Sequence, residues 1–130
     1  MRKREFRGKT ENLSEWVYGN LLGYSTIIPK GQVFEIDEGY IDDQLEAYSV
    51  FPETIGQYIG LKDKNGNKIF EGDIVQYDNK DVGYVGYANG AFYIKAENIT
   101  NEWIPQNLVV IGNIHDNPEL EKRINNNVLG

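Results

Sequence analysis

Two carboxylates separated by one glycine, Glu71 and Asp73, are the residues of this sequence best spaced to do chemistry. Paired carboxylates can divide the acid and base roles of an enzyme, and they can also bind Mg²⁺. The same residues fit a tight turn, in which Gly72 reverses the chain and Asp73 accepts bonds from nearby backbone amides. We favour the turn and keep a metal-dependent enzyme as the weaker alternative.

The oxygen-rich segment that follows Asp63 invites comparison with a calcium loop. An EF-hand loop needs Gly at its sixth position and a bidentate Glu at its twelfth. Counted from Asp63, those positions hold Lys68 and Ile74. The spacing therefore excludes an EF-hand, and we expect no calcium here.

His115 is the only histidine, and the chain has no cysteine. This composition excludes His-based metal cages, zinc thiolate sites, disulfides and cysteine nucleophiles. No Ser nucleophile is evident as a partner for His115, so we expect it to be a surface residue. A divalent cation could bind weakly to Asp37, Glu38, Asp42 and Asp43, but solvated charge is the simpler interpretation. We predict no catalytic, metal-binding or cofactor-binding residue and no cofactor.

The charge of the chain is unevenly distributed around a formal net value of −7 at pH 7. Basic residues crowd positions 1–9, whereas positions 35–46 are acidic and contain no Lys or Arg. Overall acidity disfavours non-specific nucleic-acid binding, which depends on releasing counterions from phosphates. The short basic arm could still contact phosphate, and the acidic segment could meet the arm or imitate a nucleic acid.

Aromatic residues offer a further kind of site, because single-stranded nucleic acid stacks on such side chains beside a positive groove. The candidates for a stacking platform are Trp16, Trp103, Tyr84, Tyr87 and Tyr93. Lysines are few in this part of the chain and lie among acidic residues, so a positive groove is poorly supported. Core packing is the stronger interpretation for the tryptophans, and the tyrosines fit a half-buried sheet or a binding face.

Strands joined by tight turns must position these residues. Asn65-Gly66 predicts a two-residue type I′ hairpin that pairs 58–64 with 67–71, because this turn needs positive φ at both central residues. Asn89-Gly90 signals a second hairpin, whose last strand over 91–96 alternates with the period of two that a half-exposed strand requires.

The remaining pattern predicts further strands and little helix. The strands lie at 5–7, 15–22, 24–28, 32–36, 73–77, 82–87, 103–104 and 108–114. A bulge is predicted at Gly19-Asn20, an irregular segment at 37–45 and a single helical turn at Pro52. Asn117-Pro118-Glu119 has the order of a helix start, and we expect a short helix that ends near Arg123.

These elements predict a mainly β protein. We expect a small antiparallel barrel or bent-sheet module, SH3-like in its C-terminal part, with a β-rich N-terminal part and a short C-terminal helix. One compact domain should cover 1–130, with possible lobes at 1–51 and 52–124 and a loose tail at 125–130. No apolar run approaches the length of a membrane span and no signal-peptide pattern is evident, so we expect a cytoplasmic protein without a membrane partner.

Three separated motifs resemble those of the YopX-like proteins, which phages and prophages of Gram-positive bacteria encode. They are FRGK…EWVYGNLL at 6–22, PETIGQYIGLKDKNGNKIFEGDIV at 52–75 and VIGNIHDNPEL at 110–120. The resemblance implies a β-rich cytoplasmic protein of a phage or prophage, and it carries over no catalytic residue. Ile59 and His115 depart from the pattern, which often has Thr and Tyr at these positions, and 23–49 matches no motif.

Three functions remain open from the sequence. The first is a non-catalytic binding or assembly module that uses exposed strand edges or Tyr-rich faces and binds a protein partner or a second copy of itself. The second is an accessory nucleic-acid-binding protein in phage replication or regulation, which depends on the basic arm 1–9 and on analogy with SH3-like barrels. The third is a metal-dependent enzyme that uses Glu71 and Asp73. We rank them in this order.

Overall fold

A computed structural model describes residues 4–29, 46–77, 81–96 and 107–129. The protein is mainly β with antiparallel sheets and one C-terminal helix, which confirms the predicted class. The chain divides into two compact units, residues 1–57 and residues 58–130. The lobes expected at 1–51 and 52–124 stay a prediction. The strands expected at 32–36 and 103–104, the acidic segment 35–46 and Trp103 lie outside the described residues.

The described strands of the first unit form one antiparallel sheet. Its strands are β1 (Phe6–Lys9), β2 (Trp16–Leu22), β3 (Thr26–Pro29), β4 (Tyr48–Ser49) and the first two residues of β5 (Gly56–Lys62). They pair in the order β4-β3-β2-β1-β5. The bulge predicted at Gly19-Asn20 is wrong, because Gly19 pairs in continuous register with Phe6 on one side and Pro29 on the other. β2 is an interior strand, and a bulge there would disrupt two ladders at once.

Gly8 is the point of closest packing in the first unit. A Cβ atom at Gly8 would lie only 2.9 Å from a methyl of Val50 and 3.2 Å from Ile27, both of which are fully buried. The predicted helical turn is confirmed as a 3₁₀ turn over Pro52–Thr54. A hydrogen bond joins this turn to β1, because the Lys9 N–H donates to Thr54 Oγ1 at 2.9 Å. The FRGK motif therefore has glycine at position 8 because a larger residue there would clash with Val50 and Ile27.

The described residues of the second unit contain the rest of β5, five further strands and one helix. Their bounds are β6 (Lys68–Phe70), β7 (Asp73–Tyr77), β8 (Asp81–Ala88), β9 (Ala91–Ala96), β10 (Leu108–Asn113) and α1 (Pro118–Leu129). β6 pairs with β5, and the other four strands form an antiparallel sheet in the order β10-β7-β8-β9. The strands of the described ranges do not close into a barrel, and the SH3-like character of this part stays a prediction.

Alternation along β7 sends neighbouring side chains to opposite faces of the four-stranded sheet. On one face, Val75 joins a buried cluster with Val85, Ile69 and Leu108. On the other face, Ile74 and Val82 pack against Ile124 of α1. A strand that is buried on both faces needs apolar side chains at successive positions. For this reason Ile74 and Val75 are both apolar and do not alternate with polar residues.

The helix α1 is longer than predicted and includes most of the tail expected to be loose at 125–130. Isolated short helices are marginal in water, so tertiary packing must supply the stability. Ile124 is fully buried, and the Tyr84 hydroxyl donates to Asn125 Oδ1 at 3.1 Å. Burial and the nearby charge of Glu121 raise the pKa of Tyr84, although its bond to Asn125 acts in the opposite direction. Within the described ranges, no helix combines the length and apolarity needed to cross a membrane.

Replacing Ile124 with Ala tests whether the helix is held by its contact with β7 and β8. Ala favours helix formation, so any loss of stability must come from the cavity left between Ile74 and Val82. We expect a loss of about 2–5 kcal/mol in urea unfolding followed by circular dichroism. The exposed neighbour substitution Lys122→Ala is the control and should stay within about 0.5 kcal/mol of the parent. Equal stabilities of the two variants would contradict this packing.

Candidate binding surface

The loop between β5 and β6 differs from the predicted type I′ turn. Gly66 has φ of +84°, but Asn65 is not in the positive-φ region, so the two-residue turn is wrong. The last paired residues are instead Lys62 and Lys68, and the Asp63 N–H donates to the Asn67 carbonyl at 2.8 Å to close a loop from Asp63 to Asn67. The cause is the Asp63 side chain, whose Oδ1 accepts the N–H groups of Asn65 at 2.9 Å and Asn67 at 2.8 Å. An Asp that captures downstream amides in this way stabilises a wider loop.

The same carboxylate also bonds the loop to β10. Asp63 Oδ2 accepts the Val110 N–H at 2.9 Å, and the Lys64 N–H donates to the Leu108 carbonyl at 3.0 Å. Asp63 is only 5% exposed. Burial alone would raise the pKa of Asp63, but the hydrogen bonds from Val110, Asn67 and Asn65 outweigh it and lower the pKa below its usual value. An ionised carboxylate that is surrounded by backbone donors serves structure and is poorly suited to exchange protons.

The carboxylate pair that first suggested a metal site lies in a turn. Asp73 is 1% exposed, and its Oδ2 accepts the Phe70 N–H at 2.7 Å. Gly72 has φ of +92° and bonds on both sides, because its N–H donates to Val85 and its carbonyl accepts from Ile114. The described residues contain no cluster of His, Asp or Glu dense enough to hold a metal ion. The bonds of Asp73 and Gly72 are those that the turn interpretation requires.

His115 lies half-buried in the turn between β10 and α1. Its N–H donates to Asn113 Oδ1 at 3.0 Å, and the Asp116 N–H donates to the same oxygen at 2.9 Å. Asn117 Oδ1 accepts the Asn113 N–H at 3.2 Å and occupies the space that a side chain at Gly112 would need. The polar residues of the motif VIGNIHDNPEL therefore shape a chain reversal.

Trp16 is half-buried and lies outside the apolar core that the sequence favoured for it. It lies beside β1, where Lys9 is its cross-strand partner. The Arg7 guanidinium carbon is 4.6 Å from the centroid of the Trp16 ring, and the Lys9 Nζ is 5.6 Å from it. These are cation–π distances. Part of the basic arm 1–9 is thus engaged with Trp16 inside the first unit.

The hairpin of β8 and β9 presents two tyrosines to solvent, and the first unit exposes Tyr18, Tyr24 and Tyr48. Its turn has φ of +54° at Asn89 and +81° at Gly90, and Ala88 pairs with Ala91. Positive φ at both central residues is the type I′ geometry, which confirms the hairpin predicted here. Tyr87 is 51% exposed and Tyr93 is 45% exposed.

Packing within the hairpin holds both tyrosines in place. The Tyr87 and Phe92 rings meet edge to face, with centroids 5.0 Å apart and planes inclined by 65°. On the opposite face, the Tyr93 ring lies across Gly86 and fills the space that a Cβ atom at position 86 would need. β9 is also the last strand of its sheet in the described part of the chain. We call Tyr87, Phe92, Tyr93 and the outer edge of β9 the hairpin surface.

The described aromatic residues proposed as a platform do not form one stacking surface. Tyr87 and Tyr93 lie on opposite faces of the hairpin, whereas Tyr84 points to α1 and bonds Asn125. Trp16 belongs to the first unit. The alternation over 91–96 correctly predicted which side chains share a face of β9. It could not predict that β9 is an edge strand, because edge position depends on pairing between distant segments.

Replacing Asp63 with Asn tests the structural role of this carboxylate. The amide keeps the shape but has one acceptor oxygen and directs its NH₂ at backbone donors, so we expect a loss of about 1–3 kcal/mol at neutral pH. Because the folded-state pKa of Asp63 lies below the ordinary value of 3.8, its contribution is complete above that value and is lost as pH falls through the folded pKa.

Urea unfolding across the acid range should therefore show the two proteins converging as pH falls below about 4. Glu119→Gln, at an exposed position of α1, is the control for removing one carboxylate and should run parallel to the parent. A constant difference between parent and Asp63→Asn from neutral to strongly acidic pH would contradict the assignment.

Comparison with solved structures identifies a similar fold. The crystal structure of protein EF1440 from Enterococcus faecalis matches 92% of this chain and 99% of that chain, with 29% sequence identity and a TM-score of 0.65. No curated protein sequence matches this chain. The family model described as YopX protein matches residues 5–122, which include all three motifs. The chain belongs to the YopX protein family.

Proposed function

We propose that this protein is a non-catalytic binding module that recognises another protein surface, or a second copy of itself, through the hairpin surface. The observation that carries the proposal is the pair of half-exposed tyrosines that packing fixes on the two faces of an edge hairpin. Rigid aromatic side chains supply a large contact area at a small entropic cost, and they are enriched where proteins bind.

The edge of β9 supplies the second means of recognition. An edge strand carries a row of main-chain donors and acceptors to which an incoming strand can pair. Natural edges are often protected by charges, but Lys95 is the only charged residue in positions 82–96. Little desolvation of charge would therefore oppose binding at this hairpin.

The positions of the carboxylates support a role without catalysis. Local turns bury Asp63 and Asp73, and backbone N–H groups bond to both oxygens of Asp63 and to Oδ2 of Asp73. Catalytic acids and bases need access to a substrate and a pKa near the working pH, whereas the pKa of Asp63 is lowered. We place this activity in the cytoplasm of a bacterial cell that carries a phage or prophage, as resemblance to the family implies.

Nucleic-acid binding is the second candidate, and the contact of Arg7 and Lys9 with Trp16 is the observation that favours it. An aromatic ring beside two cations has the composition of a single-strand binding surface. We rank it second because Arg7 is only 6% exposed and its guanidinium already covers the indole ring.

Replacing Tyr87 with Lys tests the hairpin surface. The change removes the exposed ring and adds a charge where binding would bury it, so we expect association to weaken at least about tenfold. Tyr24→Lys is the matched control, because Tyr24 is 92% exposed and lies in the first unit. Light scattering over a concentration series measures self-association, and co-purification with tagged variants measures a bound partner.

We expect the parent and Tyr24→Lys to associate alike and Tyr87→Lys to lose the association while keeping its circular dichroism spectrum. A parent protein that stays monomeric at high concentration and retains no partner would contradict the proposal. Equal weakening by the two substitutions would also contradict it, since that result would indicate a general effect of charge.

Fluorescence anisotropy with a labelled single-stranded oligonucleotide separates the second candidate from the first. If the arm and Trp16 bind phosphate and bases, binding should appear at low salt, weaken steeply with added salt and fall when Arg4 and Lys9 are both replaced by Ala. The control removes two exposed charges from α1 with Lys122→Ala and Arg123→Ala. Absence of binding at low salt would eliminate the second candidate.

A further inference from the structure

The chain contains two Asn-Gly pairs, Asn65-Gly66 and Asn89-Gly90, and the structure treats them differently. We propose that Asn89 is a site of spontaneous deamidation in the folded protein and that Asn65 is protected from the same reaction. The inference is independent of the proposed function, because it depends only on the hydrogen bonding and exposure of the two loops.

The reaction joins the backbone nitrogen of the glycine to the side-chain carbonyl carbon of the preceding Asn. The glycine N–H gives its proton to solvent base, a new C–N bond closes a five-membered succinimide, and the Asn amide leaves as ammonia. Water then opens the ring at one of its two carbonyls, which yields Asp or isoaspartate. Glycine favours this attack because it has no side chain to obstruct the nitrogen and it permits many backbone angles.

Asn89 and Gly90 are exposed at the tip of the β8–β9 hairpin. In the described part of the chain, the Gly90 N–H has no hydrogen-bond acceptor, and open space surrounds the position of a Cβ atom at Gly90. The turn must still open for the nitrogen to reach the side chain, because Asn89 is held at φ of +54°. Opening at a hairpin tip beside an edge strand breaks few contacts and therefore costs little free energy.

Asn65 is also exposed, but the nitrogens around it are engaged. Its own N–H donates to Asp63 Oδ1 at 2.9 Å, and the Gly66 N–H, which would be the nucleophile, donates to the Asp63 carbonyl at 3.0 Å. The loop is further fastened to β10 through the bonds of Asp63 with Val110 and of Lys64 with Leu108. Several bonds must break together before the Gly66 nitrogen can attack, among them those that the Asp63 carboxylate accepts from Asn65 and Val110.

The products would change the tip of the hairpin. Either one replaces a neutral amide with a carboxylate two residues from Tyr87, and the isoaspartate also adds a methylene to the backbone. Asp-Gly still suits a type I′ turn, whereas the lengthened backbone does not preserve the register that pairs Ala88 with Ala91.

The test is peptide mapping by mass spectrometry of the full-length protein during incubation in mildly alkaline buffer. Asn, Asp and isoaspartate forms of the peptides that contain Asn65 and Asn89 are separated and quantified over time. We expect Asn89 to react at least about tenfold faster than Asn65 in the folded protein. The same incubation in denaturant should bring the two rates close together, because both asparagines precede glycine.

Asn89→Gly is the matched variant, because Gly-Gly also forms type I′ turns. Its isoaspartate yield under native conditions should fall nearly to zero while its circular dichroism spectrum is unchanged. The inference is overturned if Asn65 reacts as fast as Asn89 in the folded protein, if Asn89 is inert there but reactive in denaturant, or if a large rate difference persists in denaturant.

Discussion

The buried carboxylate of Asp63 is the interaction on which the second unit depends most. It accepts backbone N–H groups from Asn65, Asn67 and Val110, and thereby joins the loop after β5 to a strand that lies far along the chain. A charge this well buried is tolerated only when donors surround it, and removing those donors would leave a desolvated anion. The Asp63 side chain therefore couples the shape of this loop to the start of β6 and to the position of β10.

Asp73 is also buried at the next turn, where its Oδ2 accepts the Phe70 N–H and Gly72 bonds to two different segments. Both turns lie in the motif at 52–75, which also contains Glu71 and Asp73, the pair best spaced to do chemistry. The same conclusion holds for the motif around His115, where Asn113 and Asn117 shape the entry to α1. The hairpin surface lies at 81–96, outside all three motifs.

The sequence was sufficient for the class, most strands, the second hairpin and the family, because these depend on local alternation, turn residues and motif order. It failed where distant residues decide. Asn65-Gly66 has the composition of a type I′ turn, but the Asp63 carboxylate accepts backbone N–H groups within the loop and stabilises a different shape. It also accepts an N–H group from β10, which no local pattern reveals. α1 continues past Arg123 because Ile124 is buried against the sheet. The exposure of Tyr87 depends equally on which strand ends the sheet.

The ionisation of Asp63 tests the central claim most directly, because a structural carboxylate and a catalytic acid differ in pKa. The measurement is an NMR titration of the Asp63 side-chain carboxyl carbon in the folded protein, with Asp63→Asn used to assign the signal. A pKa below the ordinary 3.8 is the expected result, since three backbone donors stabilise the charge. A pKa at or above that value would show that burial dominates, and Asp63 would then be a carboxyl group that can carry a proton for chemistry.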